Sequence, residues 1–492
     1  MSAASRKLQI AFASSEVAPF SKTGGLADVL GSLPKALGRL GHHSIIVTPY
    51  YRQTRKLHLD IKFFPRKIFV QMGDRIVDGQ IATAKLTDNV DIFFIVKDEY
   101  FDRDDIYRGA EGDFKDNAER FIFFSKSVLS ALEELDIKPD ILHCHDWQTG
   151  LIPALLKTIE SSNPFFIKTK FFFTIHNMAF QGQFWHYDMH MTNLPWEAFT
   201  PEGIEYYGKI NLLKAGINYA DTITTVSHKY ADEIKTKDFG CGLEGVLQKR
   251  SRDLYGILNG VDYDDWNPEK DFHTAAKYFI NDLSGKLECK RSLLKGCALP
   301  EDLTVPLFGI ISRLTEQKGI ELLKEVLNEK FFEESILVVL GEGDQLYEEF
   351  FQSLSKKFPK RIFVKIGYDV PLSHQIEAGA DFFLMPSRFE PCGLNQIYSL
   401  KYGTVPIVHA TGGLDDTITE FSPAALKGNG FKFSEYTSQA MNISITKALE
   451  IFHQPSIHHE LMKNGMKCNF SWDGSAKKYE QLYLNDVQLP PT

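Results

Sequence analysis

The chain has no pair of cysteines in the Cys-x-x-Cys spacing, although it contains 6 cysteines. The usual zinc and dithiol sites are therefore excluded, and reduced thiols in a cytoplasmic protein are the simplest interpretation. A His-Glu-x-x-His metal motif is also missing. We accordingly expect no metal in the site and no cofactor.

Long apolar runs and an excess of positive charge are missing as well. No unbroken apolar stretch reaches the roughly 20 residues of a membrane helix, and no apolar signal core precedes the first strand. The formal net charge is −9 and the isoelectric point is near 6.0, which argues against general nucleic-acid binding. We expect neither nucleic acid nor a membrane among the partners.

The chain does have a repeated alternation of short apolar strands and helical patterns, and its 492 residues exceed one ordinary core. Strands are predicted at 8–13, 44–48, 92–96, 141–144, 170–174, 222–226 and 255–258, and again at 306–311, 336–340, 363–366, 381–385 and 405–408. This rhythm predicts an α/β protein of two doubly wound, Rossmann-like domains facing each other across a ligand cleft.

The domain boundary is expected at the Asn-Gly turn that follows residue 258. The predicted domains are residues 1–258, residues 259–469, and a C-terminal segment, 470–492, that packs back on the first domain. Its helix is expected to present one apolar face, formed by Trp472, Ala476, Tyr479 and Leu482. The acidic segment 98–116 is predicted to be a solvated loop.

The most unusual stretch is 386–403, with the sequence PSRFEPCGLNQIYSLKYG. It places Glu390, Cys392 and Gly393 at a strand-to-helix turn, where α/β sheets bind ligands. The free N–H groups at the start of the following helix can meet hydroxyl or phosphate oxygens. A rigid Pro-Gly turn with a solvated glutamate is the open alternative.

Two other turns offer glycine pairs at the start of a helix, where the backbone can approach an anion closely. Lys22, Gly24 and Gly25 form the first, and Thr411 with the pair Gly412-Gly413 opens the second. Arg313 and Lys318 bracket a third turn, and two cations there suit a diphosphate. The alternatives are a flexible loop at a helix start and a pair of solvated surface charges.

Polar side chains also follow two strands of the first half. Asp146 and Trp147 follow one strand, and His176 follows the next. A carboxylate that fixes hydroxyls and an indole that stacks on a ring suit sugar binding, whereas a buried core histidine under a tryptophan is the alternative. A metal site at His143, His145 and His176 competes, but no compact ligand pattern supports it.

Taken together, these motifs resemble the bacterial glycogen synthases and plant starch synthases, which are retaining glycosyltransferases of the GT-B architecture. The resemblance covers nearly the whole chain, in the family's order, and it rests on Lys22 to Val29, His145-Asp146-Trp147, His176-Asn177, Asn259 to Asp262, Ser312 to Gly319, Pro386 to Gly393, and Thr411 to Leu414.

The resemblance implies transfer of glucose from ADP-glucose to the non-reducing end of an α-1,4-glucan, without a divalent metal. It implies catalytic roles for Glu390, Arg313, Lys318 and His176, and places Asp146 and Trp147 on the acceptor side. The donor-binding residues it implies are Lys22, Gly24, Gly25, Asn259, Tyr368, Cys392, Gly393, Leu394, Thr411 and Gly412. Retention would follow from front-face attack, with the departing phosphate accepting the acceptor's proton.

This chain departs from the family pattern close to the implied phosphate region. Bacterial members often have Thr-Gln where it has Asn395-Gln396, and often have Arg before Thr-Gly-Gly, where it has His409-Ala410. UDP-glucose is therefore the alternative donor. A non-catalytic glucan-binding scaffold is a further alternative, although Glu390, Lys318 and Arg313 are all present. No stretch resembles the pyridoxal-phosphate motif of the phosphorylases.

Overall fold

The computed structural model describes residues 6–109 and 111–488. They form two compact units: unit 1 runs to Gly260 and resumes at Trp472, and unit 2 is Val261–Ser471. Residues 489–492 of the predicted C-terminal segment lie outside the described part. No described helix combines the length and apolar character that a membrane crossing needs.

In its described residues, unit 1 contains fourteen strands and the first nine helices. The strands are β1 (Gln9–Ala13), β2 (His43–Pro49), β3 (Lys62–Met72), β4 (Arg75–Thr87), β5 (Val90–Val96), β6 (Arg108–Gly109), β7 (Gly112–Asp113), β8 (Ile141–His145), β9 (Lys170–Ile175), β10 (Gln183–Trp185), β11 (Glu205–Tyr206), β12 (Lys209–Asn211), β13 (Thr222–Thr225) and β14 (Leu254–Gly256). The helices are α1 (Gly25–Arg39), α2 (Arg52–Arg55), α3 (Asp98–Phe101), α4 (Asn117–Glu134), α5 (Leu151–Lys157), α6 (Met189–Thr192), α7 (Leu212–Tyr219), α8 (His228–Glu233) and α9 (Glu244–Lys249).

The main sheet of unit 1 has the order β14-β13-β9-β8-β1-β2-β5-β4-β3. Its strands are parallel from β14 to β5, and β4 and β3 join antiparallel. The chain steps from β1 to β2 on one side and later to β8 on the other. The carboxyl ends of β1 and β8 therefore form a topological switch point, where such sheets bind ligands.

Unit 2 contains six strands and nine helices. The strands are β15 (Leu307–Ile311), β16 (Ile336–Gly341), β17 (Ile362–Ile366), β18 (Phe382–Met385), β19 (Val405–His409) and β20 (Phe431–Phe433). The helices are α10 (Ser284–Gly296), α11 (Ile320–Val326), α12 (Glu329–Glu334), α13 (Gln345–Lys357), α14 (Val370–Gly379), α15 (Asn395–Lys401), α16 (Gly412–Thr417), α17 (Ser438–Phe452) and α18 (Pro455–Lys467).

The six strands of unit 2 are all parallel and have the order β17-β16-β15-β18-β19-β20. Helices cover both faces, so the strands are nearly continuous apolar runs; all six residues of β16 are buried. The strand order reverses between β15 and β18, which makes their carboxyl ends the switch point of this sheet.

The last helix, α19 (Trp472–Gln488), belongs to unit 1. Trp472, Ala476 and Tyr479 pack into the same apolar cluster as the buried face of α1. The fourth member of the predicted face, Leu482, is partly buried and packs at the edge of this cluster, whereas Tyr483, which was not predicted, is fully buried. A helix has 3.6 residues per turn, so the step from Tyr479 to Tyr483 keeps the same face.

The predicted strands are confirmed to within about two residues at their ends. The prediction of a solvated loop at 98–116 is wrong in part, because the segment contains α3 and the β6–β7 hairpin, and Tyr100, Phe101 and Ile106 are buried. The sequence analysis did not predict the β3–β4 hairpin or the small β10-β12-β11 sheet.

Candidate active site

The switch point of unit 2 joins a lysine to a buried glutamate. Lys318 follows β15 and Glu390 follows β18, and Lys318 Nζ lies 2.5 Å from Glu390 Oε2. The hydroxyl of Ser387 donates to the same oxygen at 2.9 Å. Glu390 is only 7% exposed. A cation and a hydroxyl thus compensate for the removal of this carboxylate from water.

The two loops that carry these residues are held together through their backbones. Gly319 has φ +74°, and a Cβ there would lie 1.9 Å from the carbonyl oxygen of Pro386. Only glycine allows this approach. The amide of Arg388 also donates to the carbonyl of Gln317 at 2.8 Å. These contacts fix the position of Lys318 relative to Glu390.

Arg313 differs from Lys318 in its surroundings. Its side chain is exposed, and its Nη2 donates to Oε1 of Gln317 at 3.3 Å. Beside it, the hydroxyl oxygens of Ser312 and Thr315 are buried without a hydrogen-bond partner. Arg313 and Lys318, the two cations predicted to suit a diphosphate, therefore lie in one turn, but of these two only Lys318 contacts Glu390.

The remaining predicted residues of unit 2 surround the Glu390 backbone, with one exception. Gly412 has φ +45°, and a Cβ there would lie 2.0 Å from the Glu390 carbonyl oxygen. Thr411 precedes it as the N-cap of α16. Cys392 is buried, Gly393 has φ +70°, and Leu394 is the N-cap of α15.

The exception is Tyr368, which follows the edge strand β17 and is 78% exposed. Two strands, β16 and β15, separate β17 from β18 in the sheet. An exposed phenol ring beyond a sheet edge is available for stacking on a planar group.

The switch point of unit 1 contains a carboxylate in an unusual backbone conformation. Asp146 has φ +57° and ψ −179°, a region normally restricted to glycine, and such strain clusters at functional sites. Its Oδ1 accepts a hydrogen bond from the His176 amide at 2.7 Å. Burial raises the pKa of Asp146 to about 7, against the opposing effect of hydrogen bonds from the His176 and Asn177 backbones.

Three histidines form a chain through the end of this sheet. His143 contacts the hydroxyl of Tyr483 at 2.7 Å and that of Thr174 at 2.6 Å, and His145 Nδ1 lies 3.0 Å from His176 Nε2. Burial lowers the pKa of His143 and of His176 to about 3, and that of His145 well below its ordinary value. All three rings are therefore neutral near pH 7.

The competing metal interpretation of these histidines finds no geometric support. Both ring nitrogens of His143 already have protein partners. Within residues 6–109 and 111–488, no group of three or more His, Cys, Asp or Glu side chains could hold a metal ion.

Trp147 lies deeper than a stacking platform would. It is 8% exposed, and its ring centroid lies 4.9 Å from that of Phe121 and 5.5 Å from that of Phe184. Its ring packs between protein side chains. Of the residues predicted at this end of the sheet, Asp146 and His176 are therefore the ones that offer polar groups.

The loop before α1 is organised by a residue that the sequence analysis missed. Glu16 is buried and accepts hydrogen bonds from Thr23 N at 2.5 Å, Thr23 Oγ1 at 2.7 Å, Gly24 N at 3.2 Å and Tyr107 Oη at 2.6 Å. Burial raises the pKa of Glu16, and these hydrogen bonds oppose the rise. The signal was present, because Glu16 follows the first strand just as Asp146 and Glu390 follow theirs.

The predicted residues of that loop lie at the surface. Lys22 is exposed and pairs with Asp28 at 2.6 Å. A Cβ at Gly24 or Gly25 would meet no atom within 4 Å. Packing within the protein therefore does not require glycine at either position, unlike Gly412.

Asn259 is the last predicted residue of unit 1. It is 6% exposed, and its Oδ1 is buried with no hydrogen-bond partner. Buried amide oxygens nearly always have a partner, so this oxygen is suited to accept a hydrogen bond from a ligand hydroxyl.

Comparison with known proteins defines the class first. A family model described as starch synthase catalytic domain matches residues 9–249, and one described as glycosyl transferases group 1 matches residues 298–467. The catalytic domain of starch synthase IV from Arabidopsis thaliana, bound to ADP and acarbose, superposes with a TM-score of 0.90 at 30% identity, over 98% of this chain and 100% of that chain. The chain is thus a glycosyltransferase with the GT-B fold, as predicted.

Curated relatives narrow the class. The glycogen synthase of Koribacter versatilis is 50% identical over 482 residues, which cover 98% of this chain and 99% of the relative. The glycogen synthase of Syntrophotalea carbinolica is 44% identical, with the same coverage of each. The chain belongs to the family of bacterial glycogen synthases and starch synthases, which confirms the resemblance.

Proposed function

We propose that this enzyme transfers glucose from ADP-glucose to the non-reducing end of an α-1,4-glucan, with retention of the anomeric configuration. The observation that carries the proposal is the buried Glu390, which is held by Lys318 and Ser387 at a topological switch point. The relatives' names supply the acceptor class, and the ADP and acarbose bound to the Arabidopsis enzyme support the nucleotide and the glucan.

In this proposal, the cations of unit 2 assist departure of the nucleotide. Negative charge grows on the diphosphate as the glycosidic bond breaks, and positioned positive groups stabilise that charge. Lys318 and Arg313 have this role. Because Lys318 also pairs with Glu390, the diphosphate competes with that carboxylate for the ammonium group or shares it. Among the described residues, no carboxylate lies within hydrogen-bond reach of Arg313, so its guanidinium group can turn towards the diphosphate.

Glu390 binds glucose hydroxyls and stabilises the positive charge that develops on the sugar ring. The backbones of Cys392, Gly393 and Leu394, with Thr411 and Gly412, hold sugar or phosphate oxygens. Tyr368 stacks on the base, since its ring is exposed. The acceptor hydroxyl attacks from the face that the phosphate leaves, and the phosphate takes its proton.

In unit 1, we assign donor contacts to Lys22, Gly24, Gly25 and Asn259. The support is the open space beside both glycines and the unpartnered amide oxygen of Asn259. His176 contacts glucose as a neutral group, because burial lowers its pKa. Asp146 orients acceptor hydroxyls, with Trp147 fixing its loop from beneath. The reaction requires no cofactor.

UDP-glucose is a second candidate donor. The observation that favours it is the pair of departures from the family pattern, Asn395-Gln396 and His409-Ala410. Asn395 Nδ2 donates to the carbonyl of Ile311 at 2.7 Å, so one of these departures contacts the last residue of β15.

The decisive experiment measures glucose transfer to glycogen from ADP-glucose and from UDP-glucose, side by side in EDTA. We expect transfer from ADP-glucose in EDTA, with products digestible by an enzyme specific for α-1,4 linkages. Faster transfer from UDP-glucose would make it the preferred donor. Strict dependence on a divalent ion would contradict the role given to Lys318 and Arg313, and no transfer from either donor would favour the scaffold alternative.

A further inference from the structure

His409, one of the departures from the family pattern, contacts the loop that carries Glu390. It is the last residue of β19 and is 7% exposed. Its Nδ1 lies 2.8 Å from the carbonyl oxygen of Ser387, which is the second residue after the end of β18. A carbonyl oxygen can only accept, so Nδ1 carries the proton in this hydrogen bond.

Ser387 connects this contact to the catalytic carboxylate. Its carbonyl oxygen accepts from His409, and its hydroxyl donates to Glu390 Oε2 at 2.9 Å. The imidazole therefore acts on Glu390 through one intervening residue. The Nδ1 of His409 contacts Ser387, which is not among the residues that we propose to contact the substrate.

A second set of contacts fixes the ring of His409 on its other side. Its ring centroid lies 5.4 Å from that of Phe433 and 5.1 Å from that of Tyr436. Burial lowers the pKa of His409, whereas backbone hydrogen bonds to Ser387 and Ser434 oppose this. His409 ends β19, which lies between β18 and β20, so its ring connects the carboxyl ends of these two neighbouring strands.

The same connection also holds the backbone of Glu390. The amide of Gly413 donates to the Glu390 carbonyl at 3.1 Å, and Gly412 lies against the same oxygen. Residues 409–413 therefore contact the Glu390 loop through the His409 side chain at Ser387 and through the Gly413 amide, which lies within hydrogen-bond distance of the carbonyls of Glu390 and Pro391. The contact at Ser387 depends on side-chain chemistry, whereas the contacts of the Gly413 amide do not.

We propose that His409 is a positioning residue for Glu390, acting through Ser387. This inference rests on the proposed role of Glu390 in glucose transfer. The imidazole N–H fixes the Ser387 peptide, and the Ser387 hydroxyl then holds Oε2 in the orientation that the reaction needs. Because a displacement of about 1 Å in a catalytic group can cost about 100-fold in rate, loss of this contact lowers turnover more than donor binding.

Three variants separate positioning from packing. His409→Asn keeps an N–H donor close to the place of Nδ1, whereas His409→Leu keeps the bulk and removes the donor. Ser387→Ala removes only the hydroxyl that reaches Glu390. We expect kcat to fall about tenfold to 100-fold in His409→Leu and in Ser387→Ala, with the donor KM changed less than threefold, and to stay within about threefold of the parent in His409→Asn.

The double variant His409→Leu with Ser387→Ala gives a sharper test. If both residues act along one path, the double variant is no slower than the slower single variant, since coupled contacts are not additive. Multiplication of the two losses would overturn the inference, as would an unchanged kcat in His409→Leu or an equal loss in His409→Asn.

Amide hydrogen exchange supplies a readout that does not depend on activity. In the native loop, the amide of Arg388 donates to Gln317. We expect faster exchange in peptides covering 386–394 for His409→Leu and unchanged exchange for His409→Asn. If the parent enzyme transferred no glucose, the proposed function would fail, while this difference in exchange would still support the positioning contact. Equal exchange in all variants would overturn it.

Discussion

Lys318 Nζ and Glu390 Oε2 lie 2.5 Å apart although 72 positions separate the two residues in the chain. Both side chains are mostly removed from solvent, with 17% and 9% exposure. Partly buried pairs of this kind resist screening by salt better than surface pairs. The pair therefore holds in one fixed arrangement the cation and the carboxylate to which we assign catalytic roles.

Replacement of Glu390 by glutamine should leave the fold intact and remove most of the turnover. The amide keeps the shape but loses the charge that we propose stabilises the developing positive sugar, so we expect kcat to fall by at least about 100-fold. The control is Glu288→Gln, which changes an exposed carboxylate on α10. Near-normal transfer by Glu390→Gln would exclude the proposed role of this residue.

Replacement of Lys318 by glutamine should lower kcat/KM by about 100-fold or more, because it removes the cation that we propose stabilises the leaving diphosphate. Steady-state rates at saturating glycogen and varied ADP-glucose measure this. Lys447→Gln is the control, since Lys447 pairs with Glu420 on the surface of the same unit. Equal activity of the two variants would contradict the proposed role of Lys318 in stabilising the diphosphate.

Tyr368 provides a test of base recognition. Stacking of a base on an aromatic ring contributes about 1–3 kcal/mol, so Tyr368→Ala should raise the KM for ADP-glucose about tenfold, with a smaller change in kcat. Phe272→Ala is a matched control, because Phe272 is 80% exposed in the same unit. An unchanged donor KM in Tyr368→Ala would remove Tyr368 from the donor site.

The final helix should contribute to the stability of unit 1 through Tyr483. Tyr483→Phe removes the hydrogen bond to His143 Nδ1 and should lower the free energy of unfolding by about 1 kcal/mol. Asp473→Asn breaks the exposed pair with Arg39 and removes a negative charge from the first turn of α19, and it should cost about 0.5 kcal/mol. Urea denaturation of both variants checks this order, and a reversed order would show that the buried contact adds nothing.

The buried histidines predict a specific loss of stability in acid. The pKa of His143 is lowered to about 3 by burial. Below pH 6.5 the unfolded chain therefore takes up a proton that the folded site refuses, and stability falls. Between pH 7 and pH 5 this site should cost about 2 kcal/mol.

A single substitution isolates that effect from Asp146, whose raised pKa acts in the opposite direction. His143→Gln should be less stable than the parent at pH 7, and the difference should shrink by about 2 kcal/mol at pH 5. His459→Gln, at an exposed position, reports the effect of the substitution itself. A difference that stays constant with pH would show that folding does not lower the pKa of His143.

The local sequence pattern was sufficient to predict much of the fold and several of the candidate site residues. Short apolar runs bounded by polar turns located the strands of both sheets, because a parallel strand buried on both faces must be apolar throughout. The same runs located Asp146, His176, Arg313 and Glu390, since polar residues directly after such strands have few structural reasons to be there. Glu16 obeyed the same rule and was overlooked.

The strand order lay beyond local pattern. Parallel neighbours are joined through crossover helices of any length, so periodicity does not reveal that β15 lies beside β18, or β1 beside β8. That order makes Lys318 the partner of Glu390. Burial likewise depends on the assembled fold: it covers Trp147, keeps three histidines neutral, and ties His409 to Ser387. The chain thus specifies its chemical groups locally, and long-range packing assigns each group its partner and its charge.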